Sequence, residues 1–263
     1  MCCLTIRELL PPTMNSTTVH STTSGISIEL KWTLTKIHAT TFVLAWFFLI
    51  PLSAAIARYF RRFAAHRPNG LFPFHKTFWF QTHRAINILA LCLMLMGLLT
   101  ILIAHNWNWL GPKVGGTHNT SSVAWHTICG VLAVALAIAQ PFNALFRCTP
   151  SHSYRWLFNT IHRCSAICGW FLAASCIFIA SIYFGKRFTN SNAAIGLTTT
   201  IVLFVVLSAL TLDTVHLFGR PNRTGDVENN VKYRKNNFDL FLFAIFAFLL
   251  FVFSFYIMLF GLV

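Results

Sequence analysis

The sequence predicts an all-α integral membrane protein with six transmembrane helices. The chain is 56% hydrophobic and only 10% charged, whereas soluble domains carry roughly a quarter charged residues. Its mean hydropathy is +0.64. Six apolar stretches are also long enough to cross a hydrocarbon layer of about 30 Å. The 27 phenylalanines agree, because Phe is well tolerated in hydrocarbon. A net charge of +14 would suggest nucleic acid in a soluble protein. Here the basic residues sit in short clusters between apolar runs, the pattern that orients a membrane protein. Nucleic acid is therefore set aside as a partner in favour of the lipid bilayer.

Taken in order, residues 1–34 form a polar tail rich in Ser and Thr, without the apolar core of a signal peptide. The first span then acts as the insertion signal, unless the sequence begins part-way through a longer product. The spans are expected over Ile37–Phe60, His83–His105, Val123–Phe146, Thr160–Phe184, Ala194–Phe218 and Phe238–Gly261, within a membrane domain of residues 35–263. Lipid offers no hydrogen-bond partner to the backbone, and the runs are continuous rather than alternating, so each is read as a helix. Pro51 and Pro141 predict local kinks in the first and third. The eight cysteines are not a disulfide framework. Cys92, Cys129, Cys164, Cys168 and Cys176 lie inside apolar runs and Cys148 at the end of one, where cysteine is usually a small hydrophobe.

Orientation follows from counting Lys and Arg. Fourteen of the twenty lie at the first-to-second, third-to-fourth and fifth-to-sixth connections: Arg58, Arg61, Arg62, Arg67, Lys76, Arg84, Arg147, Arg155, Arg163, Arg220, Arg223, Lys232, Arg234 and Lys235. Positive-inside then places both termini on the non-cytoplasmic side. The glycosylation sequons at Asn15 and Asn119 fall on that outer side, and a third at Asn222 falls inside, where it would be silent. Cys2 and Cys3 pull the other way, since palmitoylation requires a cytoplasmic N-terminus; the charge count outweighs them.

Eleven histidines in so apolar a chain call for a reason, because ionisable groups inside membranes are expensive. Four stand at comparable places: His38, His83, His126 and His162, each at or near the start of one of the first four spans. Alternate spans run in opposite directions, so His38 and His126 lie near the outer surface and His83 and His162 near the cytoplasmic one. A haem iron with both axial positions filled needs two imidazoles from facing helices, and these two pairs supply them. Their layers would lie roughly 20–25 Å apart, close enough for electron tunnelling between the edges of two haems. Small residues follow two of the histidines at one-turn steps: Gly130, Ala133 and Ala137 after His126, and Ala166, Gly169 and Ala173 after His162. Such stripes leave room for a flat macrocycle, or alternatively let helices approach one another. The steps after His38 (Phe42, Ala45) and His83 (Asn87, Ala90) are less uniform. His105, at the outer end of the second span, is the strongest rival ligand, and His216 with Asp213 is read as a polar pair at the cytoplasmic boundary or a proton relay. His20, His66, His75, His118 and His152 fall in loops or tails and are read as solvated.

At these residues the chain resembles the cytochrome b561 family, in the branch of ferric-chelate reductase 1 and its DOMON-linked relatives. The matching stretches are HATTFVLAWFFLIPLSAAIARYF, FWFQTHRAINIL, WHTICGVLAVALAIAQPFNALFR and RWLFNTIHRCSAICGW, in order across most of residues 38–184. The resemblance implies a four-helix bundle formed by the first four spans around two haems b, ligated by His38 with His126 and by His83 with His162. It excludes His105 and His118 as ligands. It further implies a cytoplasmic reductant such as ascorbate and, outside, a ferric chelate or monodehydroascorbate as acceptor. Arg58, Arg61 and Arg62 suit an anionic reductant near the inner haem, although positive-inside retention explains them equally well. The last two helices, over 194–261, resemble the family only in hydrophobicity. Ala39 replaces the glycine that usually follows the first histidine, which would crowd the outer haem slightly. The reelin and DOMON domains of many relatives are not in this sequence, which leaves the acceptor open. The expectation is a transmembrane ascorbate-dependent ferric reductase of a plasma, endosomal or vesicle membrane, with homodimer formation left open. The competing readings are a haem-free transporter, channel or receptor with histidines in a metal or proton path, and a membrane scaffold whose histidines are polar helix contacts.

Overall fold

A computed structural model describes residues 26–60, 78–149, 151–218 and 228–260. Cys2, Cys3, Asn15, His20, Arg61, Arg62, His66, Arg67, His75, Lys76, Arg220, Asn222 and Arg223 lie outside the described residues. The described residues are mostly helical, and among them six helices are long and apolar enough to cross a membrane. We label them α1 (Ile28–Tyr59), α2 (Phe78–Ala104), α3 (Ser122–Leu145), α4 (Arg155–Tyr183), α5 (Ser191–Phe218) and α6 (Glu228–Phe260).

Helix α1 begins at Ile28, well before the Ile37 expected from hydropathy, so the last residues of the presumed polar tail of 1–34 are helical. The reason is local. Ser27 caps the helix, its Oγ accepting the Leu30 N–H at 3.2 Å, and Glu29 places a negative charge in the first turn. Lys31 and Lys36 dilute the hydropathy of this turn without weakening its helix propensity. Ser121 caps α3 in the same way, accepting from Ala124 N–H at 3.2 Å.

Pro51 does more than bend α1. The helix widens into a π segment over Leu44–Leu49, where the Ile50 N–H reaches back to the Ala45 carbonyl. The Trp46 carbonyl thereby loses its usual i+4 donor, and the residue five along is Pro51, which has no N–H to give. Trp170 of α4 fills that need, its Nε1–H donating to the Trp46 carbonyl at 3.0 Å in the core. A second π segment follows at Ile56–Phe60. Pro141, by contrast, lies inside α3, which stays helical through Leu145.

Two helical hairpins, α1 with α2 and α3 with α4, make the closest contacts. Helix α5 packs on α4, α6 on α5, and α6 returns against α1, so the last two helices close a ring rather than trail from the bundle. Phe48 of α1 meets Phe251 of α6 with ring centroids 5.7 Å apart, and Phe204 of α5 stacks on Phe246 of α6 at 5.6 Å. The core gathers Trp46, Phe47, Met94, Ala133, Trp170 and Ala173. Many large apolar side chains face outward, including Leu99, Phe142, Leu203 and Leu207. In water such a surface would drive aggregation, whereas in lipid it is at equilibrium with its solvent.

Candidate functional site

Of the four histidines of the first four helices, the outer two meet across facing helices, and the inner two act on one another electrostatically. The rings of His38 (α1) and His126 (α3) lie with centroids 6.4 Å apart and planes inclined by 64°. His83 (α2) lies within electrostatic reach of His162 (α4).

In three of the four, the Nδ1 nitrogen is held by the backbone of a neighbouring helix. His38 Nδ1 bonds the Gly97 carbonyl of α2 at 2.9 Å, and His126 Nδ1 bonds the Cys176 carbonyl of α4 at 3.0 Å. His83 Nδ1 bonds the Ser53 carbonyl at 3.0 Å and the Ser53 hydroxyl at 2.8 Å. Asn87, one turn along α2, donates to the Ser53 hydroxyl and to the His83 carbonyl, closing a polar nest in the core. Ser53 stands three residues before the second π segment, where the Ile56 N–H reaches both the Leu52 and the Ser53 carbonyls. Each such bond fixes the ring orientation, the arrangement in which a ligating histidine gives its other N–H to a carbonyl and offers Nε2 to a metal; Asn87 Nδ2 also lies 3.3 Å from His83 Nε2, and Cys176 Sγ lies 3.8 Å from His126 Nε2.

His162 differs, since its buried Nδ1 has no hydrogen-bond partner among the described residues. Its ring stacks on Phe158 with planes inclined by only 15°. Around this inner layer stands a cation that sequence reasoning did not single out. Arg147, at the end of α3, acts electrostatically on both His83 and His162 and lies over the Phe80 ring at 4.3 Å.

The other expectations fare unevenly. Arg58, read as a contact for an anionic reductant, forms a two-pronged ion pair with Asp213 of α5, Nε at 2.7 Å and Nη2 at 2.6 Å. Tyr59 Oη donates to the same carboxylate at 2.9 Å. Asp213 therefore ties α5 to α1, and the expected Asp213–His216 pair falls on a His216 side chain outside the described part. His105 stands just beyond α2, within electrostatic reach of His38. Of the small residues after His126 and His162, Gly130 lies tight against α4, where a Cβ would be 3.2 Å from Cys176 Sγ. A Cβ at Gly169 would make ordinary contact, 3.4 Å from the Leu136 Cβ and 3.6 Å from the Trp46 ring. Gly97, Ser53 and Cys176, which orient the histidines, carry no periodic or charge signal in the sequence.

The fit to a haem iron can be tested on the outer pair. With metal–nitrogen bonds near 2 Å on both sides, two axial imidazoles have ring centroids about 6 Å apart. The observed 6.4 Å, with both Nδ1 atoms engaged elsewhere, suits an iron held through the two Nε2 atoms.

Fold and site together define a class: a polytopic helical membrane protein whose first four spans bring four histidines into two layers. The chain belongs to the eukaryotic cytochrome b561 family, whose model matches residues 37–189, covering α1 through α4. It is 28% identical over 152 residues to "Putative ferric-chelate reductase 1" of Danio rerio, covering 58% of this chain and 23% of that one. It is 25% identical over 162 residues to "Ferric-chelate reductase 1" of Bos taurus, covering 60% and 23%. The chain thus spans about a quarter of the length of the curated relatives it matches. No solved structure is a significant match.

Proposed function

We propose that this chain carries electrons across a membrane by means of two b-type haems, one held by His38 and His126 and the other by His83 and His162. The outer pair carries the reading: two imidazoles from facing helices, 6.4 Å apart between ring centroids, each with Nδ1 bonded to a carbonyl. Haem would supply a one-electron couple, its iron held by the imidazoles of His38 with His126 and of His83 with His162. The protein contributes ligands, their orientation and a dry helical surround, with no general base or covalent intermediate.

Cytoplasmic ascorbate is the proposed donor, giving up one electron and one proton to become the monodehydroascorbate radical. A ferric chelate, reduced to the ferrous state, or monodehydroascorbate is the acceptor on the other side. The names of the relatives favour ferric iron. The inner cations suit an anionic donor. Arg58 is paired with Asp213, and Arg61 and Arg62 follow it in the same basic cluster. On the outer side, Phe184 meets the His126 ring edge-on at 5.2 Å, and Lys186 stands two residues beyond it. This gives an anionic chelate a cationic approach to the outer pair. The proposed setting is a plasma, endosomal or vesicle membrane, with both termini on the non-cytoplasmic side.

The absorbance spectrum of the purified protein tests this. A sharp reduced b-type α band is expected, falling by about half in either His38→Ala or His83→Ala, and appearing on addition of millimolar ascorbate. A colourless folded protein overturns haem binding, and a haem protein that ascorbate leaves oxidised overturns the donor.

A further inference from the structure

Three of the four histidines have Nδ1 anchored to a backbone carbonyl. His162 has no such anchor. Among the described residues its buried Nδ1 has no hydrogen-bond partner, nor have two other buried polar atoms on the facing helix, Gln140 Oε1 and Asn143 Nδ2.

The antiparallel register of α3 and α4 brings the three to one place. Gln140 Nε2 donates to Ser165 Oγ at 2.8 Å, and a Cβ at Gly169 would touch Leu136, one turn before Gln140. Asn143 is one turn beyond Gln140 on α3, and His162 is one turn before Ser165 on α4. The register therefore places Asn143 level with His162, as Gln140 is level with Ser165.

A carboxamide carries an acceptor and two donors at nearly equivalent positions, exchanged by a half-turn of its end. A shift of the Asn143 side chain that brings Oδ1 to the His162 Nδ1–H would present its Nδ2 towards Gln140 Oε1, three residues earlier on the same helix face. One relay would then satisfy all three of these atoms: His162 Nδ1–H to Asn143 Oδ1, Asn143 Nδ2–H to Gln140 Oε1, and beside it the existing Gln140 Nε2–H to Ser165 Oγ. Three unpaired polar atoms in one interface are otherwise rare and costly.

We infer that Asn143, braced by Gln140, is the positioning residue for His162, supplying from a side chain the anchor that the backbone gives the other three histidines. The inference rests on the proposed ligation of iron by His162. It makes the inner site the tunable one, because the group bonded to the distal ring nitrogen sets ligand basicity and hence metal potential.

The test is redox titration and low-temperature electron paramagnetic resonance of the purified holoprotein, in wild type, Asn143→Leu, Asn143→Asp and Gln140→Leu. His162→Ala identifies the inner signal. Asn143→Leu should shift the inner midpoint and its low-spin signal while the outer pair stays in place, which also reports an intact fold. The isosteric Asn143→Asp should move the inner midpoint to more negative potential, and Gln140→Leu should move it by a smaller amount. If Asn143→Leu fails to assemble, the Asp and Gln140 variants decide. Unchanged inner signals in those variants, or a shift of the outer pair instead, overturn this inference while leaving the two-haem reading standing. A wild-type protein without haem overturns both.

Discussion

At Gly97 two requirements meet in one residue. A Cβ there would collide with Thr41 Oγ1 and lie 2.7 Å from the Phe42 ring, so α2 can approach α1 only over a glycine. That approach brings the Gly97 carbonyl within 2.9 Å of His38 Nδ1. Gly97→Ala should therefore lower stability by about 1–3 kcal/mol through overpacking. It should also disturb the outer pair more than the inner one. A thermal melt in detergent read at the haem band checks both; a melt and outer-pair spectrum identical to wild type would show that the approach is slack. Arg58 is the contrasting case. The sequence offers three clustered arginines and no way to see that Asp213, 155 residues on, claims the first of them. With both ends of the pair partly exposed, its net contribution is modest, about 1 kcal/mol or less. Its consequence is to hold α5 against α1.

At the scale of the element, α1 shows how one residue type propagates. Pro51 is visible in the sequence and a kink is the ordinary expectation. The outcome is a π segment, because Ile50 N–H bonds Ala45 and Pro51 has no N–H for Trp46. The freed carbonyl then recruits Trp170. Trp170→Phe should cost about 1–3 kcal/mol by leaving that buried carbonyl unpaired. Pro51→Ala returns an N–H to the helix and gives Trp46 an intrahelical donor. The double variant should therefore be less destabilised than the sum of the singles. A double-mutant cycle on unfolding in detergent measures the coupling, and strict additivity would mean that the proline and the indole act independently. None of this is readable from hydropathy, which sees α1 as one apolar run.

At the scale of the whole molecule, the ring of six helices presents apolar side chains outward, and fourteen of the twenty Lys and Arg fall at alternate connections of the sequence, so orientation is the open physical variable. Positive-inside predicts that the α2–α3 connection, with its sequon at Asn119, faces away from the cytoplasm. Expressed in a cell that glycosylates, the chain should show a glycosidase-sensitive mobility shift that is reduced in Asn119→Gln. A glycan accepted instead by a sequon engineered into residues 151–154, between α3 and α4, would reverse the topology. The ring also accounts for α5 and α6, which in the sequence show only hydrophobicity. Their role is to cover α4 and α1, through Ser181 with Thr198 at 3.2 Å on one side and Phe48 with Phe251 on the other.

The sequence by itself determined the solvent, the number of spans and the family. These depend on composition, run length and motifs in order, all properties summed over many residues. It also placed four histidines on alternating sides, since each span reverses direction. Only the tertiary structure decided what holds those rings. The anchors at Gly97, Ser53 and Cys176 are backbone carbonyls, and a carbonyl looks the same in every residue until packing selects which one a ring nitrogen meets. The first arginine was likewise committed by a carboxylate far away in sequence. The physical reason is one of range: solvent preference is additive along the chain, whereas orientation depends on a single close contact between helices.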